Sequence, residues 1–296
     1  MFELTLQAIV SGLLVGGVYA LMAAGLNLIF GVVRIINFAH GDLMMVAMYA
    51  VYWLFTLSGI DPYVAVLVVA PALFLLGVFL QRVVIRPIQG SSPLMIIFAT
   101  VAVSLVLQNL ALMLFQGDFR SVQTSYSIAV LDAGPVLVSV PRLIAFAASI
   151  LLFAGLFLFL RYTYVGKALR AVAENRTVAR LMGIRVERIY LLAFGLGSAL
   201  AGIAGVLMMP FASAYPTVGT IYTLLAFVVV VLGGLGSMEG TVVAGLAVGL
   251  IETLTGTFIS PAVKEIAYFG LFIVILLIRP QGFFGLGKGT EEVGLK

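Results

Sequence analysis

The only histidine of the chain, His40, stands in RIINFAHGDLMMVAMY, residues 34–49, beside Gly41 and Asp42 and three residues after Asn37. Long apolar runs precede and follow this cluster. Ionisable groups at membrane depth are expensive and usually face a bundle interior or a water-filled cavity. A glycine there permits a break in the helix, which frees backbone groups for a polar ligand. A neutral imidazole and an amide at such a break can hydrogen-bond a polar solute in transit. The same residues also read as an ordinary cytoplasmic turn, with Asp42 as the N-cap of the next span. From these residues alone both readings stand.

A second interruption falls late, in VVLGGLGSMEGTVVAGLAVGLIETLTG, residues 230–256. Gly233, Gly234, Gly236 and Gly240 break the apolar run around Ser237 and Glu239. Two glycine-interrupted segments, one in each half, are what an internally repeated transporter shows, although their mutual similarity is too weak to establish a repeat. The candidate pathway residues are therefore Asn37, His40, Gly41, Asp42, Gly234, Gly236 and Glu239. Glu252, inside the next apolar run, is expected to pair with a hydroxyl such as Thr253 or Thr255. Gly282, Gly287 and Lys288 match the first part of a G-x-x-x-x-G-K phosphate loop, but Gly289 stands where Ser or Thr binds magnesium. No strand precedes the match and no helix has room to follow it, so it is rejected. The chain has no cysteine, which excludes disulfides, thiol catalysis and cysteine metal sites. No catalytic residue and no metal ligand is assigned.

The third feature is a concentration of charge. RYTYVGKALRAVAENRTVARLMGIRVER, residues 161–188, holds seven of the 16 Lys and Arg residues: Arg161, Lys167, Arg170, Arg176, Arg180, Arg185 and Arg188. Such a concentration between spans marks a cytoplasmic loop. Within it Ala168, Ala171, Val172, Asn175, Val178, Ala179 and Met182 recur at steps of three and four, which predicts one or two short helices with a small apolar face. Gly166 is placed to open the helical region and Gly183 to cap it. Arg170, Glu174, Arg176 and Arg180 would form a polar rim. The loop reads equally as a docking element for a soluble partner and as a solvated basic connector.

The elements that must position these residues are membrane spans. Of 296 residues, 63% are hydrophobic and 9% charged, with a mean hydropathy of +1.23. Soluble domains carry about 25% charged residues, so this composition is that of an integral membrane protein. The net charge of +4 is not a nucleic-acid signal, because the basic residues sit between spans. MFELTLQ carries no basic residue, which favours a retained first span over a cleaved signal.

Apolar segments lie at about 6–30, 42–57, 63–81, 94–116, 143–160, 189–209, 221–235, 241–258 and 265–278. The expected fold is an all-α polytopic bundle of about nine spans, bounded by eight and ten, forming one transmembrane domain over residues 1–296. Placing 31–41, 82–93, 161–188 and 279–296 inside puts 13 of the 16 basic residues in the cytoplasm, leaving Arg120, Arg142 and Lys264 outside. The N-terminus is then outside, the C-terminus inside, and the longest outer loop, 117–142, is long enough for a small external cap. Gly12 and Gly16, Gly236 and Gly240, and Gly245 and Gly249 are spaced as small-xxx-small packing pairs.

Four stretches together carry a family resemblance: residues 25–49, GLNLIFGVVRIINFAHGDLMMVAMY; 166–184, GKALRAVAENRTVARLMGI; 232–252, LGGLGSMEGTVVAGLAVGLIE; and 278–285, IRPQGFFG. Over nearly its full length the chain resembles the permeases of branched-chain amino acid ABC importers, the LivH-like group of the inner membrane. The resemblance implies a type II importer fold with discontinuous helices near Asn37–Asp42 and Gly233–Gly240. It implies a second, LivM-like permease subunit, two cytoplasmic ATP-binding subunits that use ATP and magnesium (Mg), and an external solute-binding protein. The chain itself is then a transport subunit, not an enzyme; it binds no cofactor and no nucleic acid, and lipid surrounds it. Residues 173–184 match the family's coupling segment, so the candidate ATPase contacts are Arg170, Ala171, Glu174, Asn175, Val178, Ala179, Arg180, Met182 and Gly183. The cargo implied is leucine, isoleucine and valine, with urea and short amides carried by close relatives. An ion-coupled secondary transporter using Asp42, Glu239 and Glu252 is the main alternative, and an intramembrane enzyme is the weaker one.

Overall fold

The computed structural model describes residues 1–132, 134–279 and 281–284. Apolar helices dominate because no backbone polar group can be left unpaired in hydrocarbon. In chain order they are α1 (Phe2–Val33), α2 (His40–Ser58), α3 (Pro62–Leu80), α4 (Arg86–Ile88), α5 (Pro93–Phe115), α6 (Val140–Tyr162), α7 (Tyr164–Glu174), α8 (Arg176–Leu181), α9 (Val186–Met208), α10 (Val218–Gly233), α11 (Met238–Phe258) and α12 (Lys264–Ile278). One wide turn, Gln81–Ile85, joins α3 to α4. All nine expected apolar segments are helical, but eight stretches are long enough to cross a membrane. The ninth, α10, has 16 residues, about 24 Å, and starts deep in the bundle. The rejected phosphate-loop match at Gly287 and Lys288, and the basic residues Lys288 and Lys296, lie outside the described residues.

The bundle has two dissimilar ends. At one, Arg34 donates to the Ala173 carbonyl (3.2 Å), Arg86 pairs with Glu187 (2.6 Å), and α7 seats Ala168, Leu169 and Val172 in a cluster with Leu28, Ile29 and Phe194. We call this the arginine-rich end. The other end is closed by residues 116–132 and 134–139, where β1 (Val130–Asp132) pairs antiparallel with β2 (Leu137–Ser139). This loop is a folded cap. Gln7 exchanges two hydrogen bonds with Leu137, Arg120 and Ala214 exchange two backbone bonds, and Tyr126 donates to Asp61 at 2.7 Å. Burial, reinforced by the Asp61 carboxylate, raises the Tyr126 pKa, which keeps the phenol protonated and donating.

The helices α1 and α11 run antiparallel and approach to backbone contact. A β-carbon built on Gly12 would stand 2.8 Å from the Gly249 carbonyl oxygen, and one on Gly16 would stand 2.8 Å from that of Gly245. These two glycine pairs pack as their spacing predicts. The Gly236–Gly240 pair does not. Gly236 occupies a turn at φ 87°, and Gly240 instead packs on Gly233. Glu252 also differs from expectation. Thr253 turns back to the Gly249 carbonyl, and Glu252 pairs with Lys264 at 2.8 Å. A full cation satisfies a carboxylate at membrane depth better than a hydroxyl does.

Candidate transport site

The end of α1 sets up the site. Arg34 takes a left-handed conformation (φ 61°) and closes the helix, after which the chain doubles back along α1. It reaches His40, whose Nε2 lies 3.0 Å from the Met22 carbonyl oxygen. Met22 precedes Val33 by 11 residues, so His40 sits about 16 Å in from the end of α1. The helix α2 thus begins inside the bundle and runs toward the hairpin end, where Asp61 and Tyr63 follow it. The cytoplasmic-turn reading of 34–42 is thereby corrected.

The second helix that starts at depth is α10. A β-carbon on Gly219 would collide with Asp42, and one on Gly41 with the Gly219 carbonyl and Thr223. The first turns of α2 and α10 therefore cross at bare backbone, and α10 leaves in the opposite direction, toward the arginine-rich end. The Gly233–Gly240 break is the turn that ends α10 at that end. It is held by Asn27, which accepts from the Gly236 amide (2.7 Å) and donates to the Ser237 carbonyl (2.8 Å) and Thr241 (2.7 Å). Both expected interruptions exist, the second as the 234–237 turn between α10 and α11; a further one, at 209–217 between α9 and α10, is where the second deep helix start lies.

Buried helix starts need partners for their free amides. The Asn37 carboxamide oxygen accepts from the Ala39 amide at 3.1 Å. Thr223 accepts from the Gly41 amide at 2.9 Å and donates to the Phe38 carbonyl at 3.2 Å. Asp42 does not cap α2. It is in the first turn and accepts from Gln108 of α5 at 3.0 Å. The same Gln108 amide group reaches Ser104 (3.1 Å) and Thr220 (3.0 Å). Asn37, His40 and Asp42 are each at most 2% exposed. Gln108 and Thr220 stand in front of the Asp42 side, and Thr220 reaches the surface. Buried hydrogen-bonding capacity remains: Asn37 Nδ2, His40 Nδ1 and Asp42 Oδ2 have no partner within the described residues. Such a cluster can bind a polar solute or relay a hydrogen bond.

The seven pathway candidates do not meet in one place. Asn37, His40, Gly41 and Asp42 form the deep cluster. Gly234, Gly236 and Glu239 belong to the α10–α11 turn, where Gly236 and Glu239 line a separate pocket at the arginine-rich end. Gln108, Ser104, Thr220 and Thr223 escaped the sequence reading. The available signal was Gln108-Asn109 inside an apolar run, since polar side chains at that depth rarely face lipid.

The basic loop forms two helices, not one continuous face. Asn175 ends α7 in an extended conformation and caps α8, accepting from the Thr177 and Val178 amides at 3.0 Å each. An Asn side chain that satisfies two amides competes with helix continuation. Thr163, not Gly166, caps α7, accepting from the Gly166 amide. Gly183 has φ 83° and closes α8, with Ile184 donating back to the Ala179 carbonyl at 3.0 Å. Ala179 is 3% exposed and packs within the chain, whereas Val178, Leu181 and Met182 are 53%, 82% and 77% exposed. The expected exposed face is corrected accordingly: Ala179 is buried, Ala171 is half-buried, and Leu181, outside the expected set, is exposed. Arg170, Glu174, Arg176 and Arg180 are exposed around it.

Residues 8–278 match the model of the family described as branched-chain amino acid transport system / permease component. The chain is 32% identical over 293 residues to a high-affinity branched-chain amino acid transport system permease protein, BraD, of Pseudomonas aeruginosa, with 95% of each chain covered. It is 31% identical over 306 residues to LivH of Escherichia coli, again with 95% of each covered. A probable branched-chain amino acid transport permease of Methanocaldococcus jannaschii is 29% identical over 281 residues, 90% of this chain and 88% of that one. No solved structure matches significantly. With its family model spanning nearly all the helices described above and two relatives above 30% identity over 95% of the chain, this multi-pass helical membrane protein belongs to the branched-chain amino acid permease family.

Proposed function

We propose that this chain is one of two paired permease subunits of an ATP-driven importer for branched-chain amino acids. The observation that carries the reading is the Asp42–Gln108–Thr220 cluster where the starts of α2 and α10 meet α5. Polar side chains on a span surface are stable against water or another protein, not against lipid. The Gln108 side of α5 therefore faces the pathway and the second permease subunit, which is LivM-like. The α-amino and carboxylate groups of leucine, isoleucine or valine would exchange hydrogen bonds with Gln108 and Thr220 in passing. Two cytoplasmic ATP-binding subunits, which use ATP and Mg, would engage α8, and an external solute-binding protein the hairpin end. This chain then needs no cofactor of its own. The ion-coupled alternative loses support because Glu252 is paired with Lys264 and Glu239 lies at the surface.

The test is the Gln108→Ala, Thr220→Val double variant in the assembled transporter. Hydrogen bonds to charged groups are worth about 1.5–3 kcal/mol, so leucine uptake should fall by roughly tenfold or more, with the ATP-binding subunits still retained on the purified complex. Unchanged uptake would remove this face from the pathway.

Orientation is part of the proposal. The arginine-rich end is cytoplasmic, so the N-terminus is outside and the C-terminus inside. On this cysteine-free chain, Ser125→Cys should label with an impermeant maleimide from outside the cell and Thr177→Cys only after permeabilisation. The reverse pattern would invert the assignment.

A further inference from the structure

A pocket of about 420 Å³ lies at the arginine-rich end, between the last turns of α1, the end of α6, the α10–α11 turn and the overlying α7. Leu28, Val32, Phe157 and Leu160 supply its apolar wall. Arg161 and Arg170 stand at one edge. Arg170 Nη2 donates to the Arg161 carbonyl at 3.3 Å, which holds the Arg170 guanidinium against the Arg161 backbone. The Arg161 guanidinium lies over the Phe157 and Tyr162 rings at 5.9 and 5.5 Å. The ion pairs among the described residues are Arg86–Glu187, Arg120–Asp118 and Lys264–Glu252, so neither of these two arginines has an acidic partner there. Glu239 lines the same pocket but reaches neither. The apolar wall continues onto the open face of α6, where Phe157 is 48% and Leu158 53% exposed.

An apolar wall open toward the span surface, with two arginines at its edge that have no acidic partner among the described residues, matches an anionic amphiphile better than a soluble anion. Basic pockets between spans take acidic headgroups, and guanidinium groups hold phosphate in a fixed geometry. We infer that this pocket binds an anionic phospholipid, its phosphate between Arg161 and Arg170 and one acyl chain along Leu28, Val32, Phe157 and Leu160. The lipid would tie α7 to the bilayer and so hold the α7–α8 pair in position. That consequence for coupling rests on the proposed function; the binding does not.

The assembled transporter is placed in nanodiscs of phosphatidylcholine alone or mixed with phosphatidylglycerol, and retained lipid is read by native mass spectrometry after detergent extraction. Wild type should retain phosphatidylglycerol selectively, and Arg161→Gln with Arg170→Gln should lower that retention by about tenfold, the effect of losing a charge-assisted contact pair. Gly31→Leu is the second variant. A β-carbon there meets nothing closer than 3.7 Å, so the leucine fills the pocket, leaves both charges in place and should also expel the lipid. Equal retention of the two lipids by wild type would overturn the assignment. So would undiminished retention in both variants, or crosslinking of Phe157→Cys to the second permease subunit. Loss of lipid retention with normal ATP-driven uptake would leave the site standing and remove only its role in coupling.

Discussion

Glutamate at both Leu181 and Met182 is expected to abolish ATP-driven leucine uptake while the permease still inserts and pairs. These side chains are 82% and 77% exposed at the end of α8, beside the α7 module that rests on the arginine-rich end of the spans. An apolar pair so exposed between Arg180 and Gly183 has no covering partner among the described residues, and the proposed ATP-binding subunits would supply one. Docking such side chains in a cleft makes them the centre of a small interface, where truncation commonly costs about 2 kcal/mol or more. A carboxylate buried there without a partner costs several kcal/mol. A loss of roughly 3 kcal/mol weakens association about a hundredfold. The measurement is retention of the ATP-binding subunits on affinity-purified permease, with uptake into liposomes alongside. Arg180→Ala should do far less, because exposed charge pairs are worth at most about 1 kcal/mol. Full retention and normal uptake by the Leu181→Glu, Met182→Glu chain would show that α8 is only a connector. Ala179→Glu is not an equivalent test. Ala179 is buried within the chain, so its charge would first disrupt α8 itself.

The second large effect concerns folding. Gly16→Leu should prevent α1 from docking on α11, and the chain should fail to accumulate as a monodisperse permease. The new side chain would start 2.8 Å from the Gly245 carbonyl oxygen and 2.9 Å from the Leu246 α-carbon. Backbone cannot move aside as a rotamer can, so the helices must separate. Overpacking by even a few methylenes costs about 1–3 kcal/mol in a core that can relax, and this contact has no such freedom. Small-residue contacts supply much of the packing between spans, since lipid competes for larger side chains. Gly155→Leu is the matched control, because nothing lies within 4 Å of a β-carbon there. Size-exclusion profiles and thermal midpoints in detergent should separate the two variants. A Gly16→Leu protein as stable as the Gly155→Leu protein would show that the α1–α11 contact is dispensable.

Several features were legible from local chemistry alone. The apolar runs became helices because a bilayer leaves them no other way to satisfy their backbone. Gly183 ends its helix because a left-handed residue is easiest for glycine. Gly12, Gly16, Gly245 and Gly249 announced their contact through spacing, which is a property of one helix face.

Whatever depended on which helix lies beside which was not legible. Asn37, His40 and Asp42 looked like a surface turn or a pathway lining, and the fold made them the buried start of a helix. That outcome depends on Met22, Gln108 and Thr223, which are 18, 66 and 182 residues away from their partners in the cluster. Asn27 shows the same dependence, holding Gly236 across 209 residues. The apolar pattern of the basic loop was visible, but whether Ala179 or Leu181 faced outward was decided by Asn175, whose side chain found two amides and ended α7. Sequence determined that the chain spans a membrane, where its charge lies and that Gly12, Gly16, Gly245 and Gly249 admit close helices, since those follow from transfer energies and spacing along one strand of chain. Only the tertiary structure decided the depth of the polar cluster and the exposed face of the basic loop, because both are set by contacts between helices that the one-dimensional pattern does not pair.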